Sequence, residues 1–178
     1  GVVKPTPPPP PPPKPYDAVI EYLESSGSQF IDTGVNPRVA PDAIVDMTLL
    51  NSADKDYWGG SASVQGACYV ANIALYELRY YRYGNTGSSN AGTIGDGRHI
   101  VRAGKNIYID NVFIRSWPYD FVPNESAGTI KIFRSNRANL ASYRLHSFKL
   151  YDGDVLMRDF IPVRKGEIGY LYDEVSGQ

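Results

Sequence analysis

Ala43-Ile44-Val45-Asp46-Met47-Thr48-Leu49-Leu50 is the stretch on which the fold turns. In an extended chain Ala43, Val45, Met47 and Leu49 fall on one face, and Asp46 and Thr48 fall on the other. Side chains that alternate with a period of two belong to a strand with one face in a core. In both directions from this stretch, short runs of β-branched and aromatic residues recur, separated by Gly, Asn, Asp and Ser. Before it they occupy residues 19–24 and 29–33. After it they occupy 57–58, 67–75, 77–83, 99–102, 106–108, 112–115, 129–133, 145–151, 155–160 and 169–172. Asp110-Asn111 and Asp152-Gly153 stand between such runs, as two-residue hairpin turns do. No stretch shows helical periodicity. Short strands without crossover helices predict an all-β, two-sheet antiparallel sandwich.

Residues 1–15 differ sharply from the rest. They include seven consecutive prolines, Pro7 to Pro13, followed by Lys14-Pro15. Proline lacks the N–H that a helix or a central strand requires, so the segment is expected to form polyproline II, a semi-rigid spacer rising ~3.1 Å per residue. It reads as a proline-rich linker or stalk ahead of a domain spanning 16–178. The alternative is a docking ligand for a proline-reading module of the SH3 or WW kind.

A domain of this length buries roughly two thirds of its unfolded surface and needs neither disulfide nor structural metal, so stability implies no cofactor. Eighteen basic residues against nineteen acidic ones give a net charge of −1, which argues against nucleic acid and anionic membranes as partners. The aromatic residues are mainly tyrosine, fourteen against six Phe and two Trp, a choice suited to surfaces that are apolar on one side and wet on the other. The single cysteine, Cys68, precludes an intramolecular disulfide, and its apolar surroundings read as core. No run of eighteen apolar residues and no charged-then-apolar leader occurs, so no direct membrane insertion is expected.

Two longer stretches carry a resemblance. Glu21-Tyr22-Leu23-Glu24-Ser25-Ser26-Gly27-Ser28-Gln29-Phe30-Ile31-Asp32-Thr33-Gly34 stands near the start. Phe148-Lys149-Leu150-Tyr151-Asp152-Gly153, Arg158-Asp159-Phe160-Ile161-Pro162-Val163-Arg164 and Gly169-Tyr170-Leu171-Tyr172-Asp173-Glu174-Val175-Ser176-Gly177 stand near the end. With Tyr83-Gly84-Asn85 and Ile107-Tyr108-Ile109-Asp110-Asn111 between them, the sequence from Ala18 to Gly177 resembles the LamG-like jelly-roll domains of the concanavalin A-like lectin/glucanase superfamily, found in gut bacterial surface proteins and phage tail proteins. It departs from the family at Asn111, where glycine is commoner, and relatives continue beyond the position of Gln178 with an aromatic strand. The resemblance implies a jelly roll of two curved sheets, often sugar-binding and sometimes a glucanase.

The chemistry of a glucanase is not legible. Retaining hydrolysis on a strand requires two carboxylates on one face, whereas Glu21 and Glu24, three apart, project to opposite faces, Asp159 stands alone, and Asp173 and Glu174 are adjacent. His99 and His146 are the only histidines, no Gly-x-Ser-x-Gly elbow exists, and no Cys/His cluster suggests zinc. Asp152-Gly153-Asp154 lacks the further ligands of a calcium loop. Neither catalytic nor metal-binding residues are assigned, and no enzyme is expected.

What remains is aromatic and basic. In 77–83, Arg79, Tyr81 and Tyr83 share one strand face, suited either to stacking a sugar ring and bonding its hydroxyls or to covering an ordinary outer sheet face. Trp58 and Trp117 complete the carbohydrate-binding candidates, with core or edge packing as the other reading for both. The expected function is a non-catalytic adhesion or carbohydrate-binding module, extracellular, on a cell surface or on a phage virion, whose partner is a glycan or host-surface glycoconjugate. The alternative is a structural or assembly module without a sugar site.

Overall fold

A computed structural model describes residues 5–50, 55–60, 68–74, 77–81, 89–116, 128–134 and 140–178; within these, Lys55 and residues 68–74, 77–81 and 89–93 are described by backbone alone. The described residues contain no helix and form fifteen strands in two antiparallel sheets. The larger sheet holds β1 (Ala18–Val19), β2 (Leu23–Glu24), β4 (Asp42–Leu49), β9 (Gly97–Ala103), β10 (Asn106–Ile109), β11 (Val112–Ser116), β13 (Tyr143–Asp152), β14 (Val155–Lys165) and β15 (Ile168–Asp173). Its main order is β1-β14-β13-β4-β9-β10-β11, with β15 on β14 and β2 on β13. The smaller sheet runs β3 (Ile31–Asp32), β12 (Lys131–Ile132), β5 (Lys55–Gly60), β6 (Cys68–Ala74), β7 (Glu77–Tyr81) and β8 (Ser89–Thr93). This is an all-β sandwich, compatible with a jelly roll.

The alternation in β4 has the expected consequence. Ala43, Val45, Met47 and Leu49 are buried, while Asp42, Ile44, Asp46 and Thr48 face outward and remain partly exposed. Val101 and Ala103 of β9, Ile107 and Ile109 of β10, and Tyr143, Leu145, Phe148 and Leu150 of β13 continue the inner face. The smaller sheet contributes Tyr57, Trp58 and Ile132 to the same core. Trp58 packs edge-on to Phe148 at 5.9 Å, and Tyr57 to Tyr143 at 5.6 Å. Tyr57 and Trp58 are consecutive yet both buried, because β5 shifts register between Asp56 and Trp58 and so departs from strict alternation.

Two features differ from the sequence-based expectation. The run at 19–24 is divided, because β1 pairs with β14 and β2 pairs with β13. The chain thus crosses from Arg164, whose carbonyl accepts from Asp17 N–H at 2.8 Å, to Tyr143, whose carbonyl accepts from Ser25 N–H at 3.2 Å. β14 also runs well past Phe160, through Pro162. Proline is tolerated there because β13 pairs with β14 only as far as Phe160, and Pro162 contributes its carbonyl to Ile20 N–H at 3.0 Å.

Both hairpin readings hold in substance. Asp110 and Asn111 have φ of +52° and +65° and join Ile109 to its partner Val112, the two left-handed residues of a type I′ turn. The second turn lies one residue later than the sequence suggests: Asp152 pairs with Val155, and the loop residues are Gly153, at φ +57°, and Asp154.

Candidate functional site

Of the sequence-derived candidates, Trp58 is described in full and Arg79 and Tyr81 by backbone alone. Trp58, only 3% exposed and lying against Phe148, is part of the core and presents no free ring face to a ligand. Arg79 and Tyr81 stand on β7, opposite Ala71 and Tyr69 of β6, with Arg79 also opposite Asn90 of β8. Tyr83 and Trp117 lie outside the described residues. The histidines are committed to local structure. His146 Nδ1–H donates to the Glu21 carbonyl at 3.0 Å, which leaves Nε2 to accept from the Thr48 hydroxyl at 2.8 Å. His99 faces the Gly95 carbonyl through Nε2 at 3.1 Å and the Asp110 carboxylate through Nδ1 at 2.8 Å. Burial acts to raise the Asp110 carboxyl, but the hydrogen bonds from His99 and Ile100 N–H hold it below the ordinary carboxylate range.

The carboxylates noted in the sequence are structural as well. Asp159 bonds Lys149 Nζ at 2.7 Å. Asp173 accepts backbone N–H groups from Asp159 at 2.9 Å, Val175 at 3.1 Å and Ser176 at 3.3 Å, and pairs with Arg158 Nε at 3.3 Å. Among the described residues no group of three His, Cys, Asp or Glu is arranged to hold a metal.

A cleft of about 410 Å³ opens instead on the outer face of the larger sheet, where the β9–β10 and β13–β14 turns flank the start of β4. Its position follows from strand register. Ile44 stands opposite both Lys149 and Arg102, Arg102 opposite Tyr108, and Tyr108 opposite Phe113, so one cross-strand row spans β13, β4, β9, β10 and β11. Two residues along, Tyr151 stands opposite Asp42. The cleft lies between these rows, with Tyr151 on β13 and Tyr108 on β10 separated by three strand spacings, ~14 Å at ~4.8 Å each. Gly104 deepens its floor. A Cβ there would lie 2.8 Å from Asp42 Oδ1, so the backbone comes closer to that carboxylate than any other residue would allow.

The polar lining carries both signs of charge. Asp42 and Asp154 come from β4 and the β13–β14 turn, and Arg102, Lys105 and Asn106 come from the β9–β10 hairpin. The Arg102 guanidinium lies 5.7 Å from the centre of the Tyr108 ring, which in turn meets Phe113 edge-on at 5.6 Å. The sequence reading missed this cleft. Its only sequence signal is that Tyr108 and Tyr151 occupy outward positions of their alternating runs, a property many surface tyrosines share.

Comparisons with protein-family models, with curated proteins and with solved structures return no match for this chain.

Proposed function

We propose that the protein is a non-catalytic carbohydrate-binding module of LamG-like, concanavalin A-like type, acting in adhesion at a cell or virion surface and carried on its proline stalk. The observation that supports this most is the cleft between Tyr108 and Tyr151. Sugars present apolar C–H faces and a rim of hydroxyls. Tyr151 receives a face, and Asp154, Arg102, Lys105 and Asn106 around it supply acceptors and donors for the rim. Residues 5–13 are exposed throughout, as a spacer requires.

A glycan array followed by calorimetry on the best ligand tests the reading. Tyr151→Ala is expected to weaken binding roughly fivefold or more, since an aromatic contact contributes ~1 kcal/mol beyond its area and 1.4 kcal/mol is tenfold. Tyr81→Ala is the matched control. Loss of binding there with Tyr151→Ala unaffected would move the site to β7, and an array without ligands would reject the reading.

The assembly alternative has one observation of its own. Among the described residues β11 ends the larger sheet, and it exposes Val112 (62%) and Phe113 (54%), an apolar edge suited to pairing with another strand. Sedimentation showing a dimer that Phe113→Lys dissolves would favour it.

A further inference from the structure

Resting on the carbohydrate reading of the cleft, we infer that its ligand is an acidic sugar, a uronate- or sialate-type glycan whose carboxylate is received by Arg102. Three other arginines of the larger sheet have carboxylate partners. On the same strand, four residues earlier, Arg98 grips Asp46 with two hydrogen bonds of 2.9 Å, from Nε to Oδ1 and from Nη2 to Oδ2. Arg144 pairs with Glu24 at 2.7 Å, and Arg158 with Asp173 at 3.3 Å. Arg102 is exposed at the cleft and meets only the face of Tyr108 among the described residues. That ring fixes the guanidinium plane while leaving its N–H fork unused, the arrangement that suits a planar two-oxygen acceptor.

The charges of the cleft set the orientation. A carboxylate entering beside Asp154 meets like charge, whereas one entering beside Arg102 meets opposite charge. The acidic substituent therefore points toward the β9–β10 hairpin. Sugar hydroxyls on the far side then donate to Asp154, and the ring lies against Tyr151. A neutral sugar would satisfy Asp154 and leave Arg102 without its anion.

The test is calorimetric titration of the full chain with oligosaccharides ending in glucuronate, galacturonate or N-acetylneuraminate, each beside the same oligosaccharide with its carboxylate converted to the amide. At least one carboxylate is expected to bind tenfold or more tighter than its amide, with the advantage shrinking as salt rises. Arg102→Gln should erase that advantage at an unchanged Tm, and Arg102→Lys should restore part of it, because lysine keeps the charge and loses the fork. Equal binding of acid and amide would overturn the inference while leaving the cleft a sugar site. Binding of neither would overturn both. Tighter binding of a sulfated oligosaccharide than of any carboxylate would overturn the assignment of a carboxylate.

Discussion

The Tyr143 hydroxyl lies wholly inside the sandwich, donating to the Tyr57 carbonyl at 3.0 Å and accepting from Phe133 N–H at 3.4 Å. It belongs to the larger sheet and its acceptor to the smaller, so one phenol ties the two layers. Burial raises its pKa well above the ordinary tyrosine value, which keeps the group a donor across the accessible pH range. Tyr143→Phe preserves the ring contacts and removes the tie. A loss of about 1–2 kcal/mol is expected from denaturant unfolding. At Asp173, burial works against the charge, but N–H donors from Asp159, Val175 and Ser176 and the Ser176 hydroxyl hold the carboxyl below its ordinary range. A folded-state pKa below the unfolded one, ~3.9, means that this contribution is complete above that value and is lost as pH falls through the folded pKa. Asp173→Asn should therefore lower Tm at pH 7, and the gap from the parent should close in melts taken below about pH 4.

Strand pairing and turn chemistry operate at the scale of elements. The β10–β11 hairpin is closed by two non-glycine residues in the left-handed region, which Asn and Asp tolerate better than other side chains. Asn111→Gly should leave thermal stability unchanged or slightly higher. Asn111→Val should lower it by about 1–2 kcal/mol, the cost of a β-branched side chain at positive φ. Close approach decides another position. At Gly169 of β15 an added Cβ would lie 2.6 Å from Leu23 Cδ2, so the glycine lets β15 pass over the chain leading into β2. These requirements are local, which is why Asp110-Asn111 was readable as a turn. The split of 19–24 was not readable, because it depends on which strands those residues meet.

For the whole molecule, the proline segment and the sandwich join at a small set of contacts. Tyr170 Oη donates to the Pro15 carbonyl at 3.0 Å, Tyr16 packs edge-on to Tyr172 at 5.0 Å, and Lys14 Nζ sits 5.5 Å from the centres of both of those rings. Residues 5–13 make no such contact and are exposed. Deleting residues 1–13 should leave Tm within about 2 °C of the parent, whereas deleting 1–16 should lower it by about 3 °C or more, as calorimetry would show. The proline segment therefore leaves from a fixed point on the sandwich, and its direction of exit is set by those contacts.

By itself the sequence determined the fold class, the inward and outward faces of β4 and the hairpin at Asp110-Asn111, because each depends on neighbours within a few residues. Alternation also left both tryptophans open between surface and core, and at Trp58 only the tertiary structure decided: the register shift in β5 turns Tyr57 and Trp58 alike into the interior. The same holds for the cleft. Asp42, Arg102, Tyr108, Tyr151 and Asp154 span more than half of the chain, and no spacing among them marks a motif. They meet because β13, β4, β9 and β10 are neighbours in that order and in that register. Sheet order is a choice among long-range pairings of similar local energy, settled by the packing of the shared core, and a site built across it is legible only once the strands are in place.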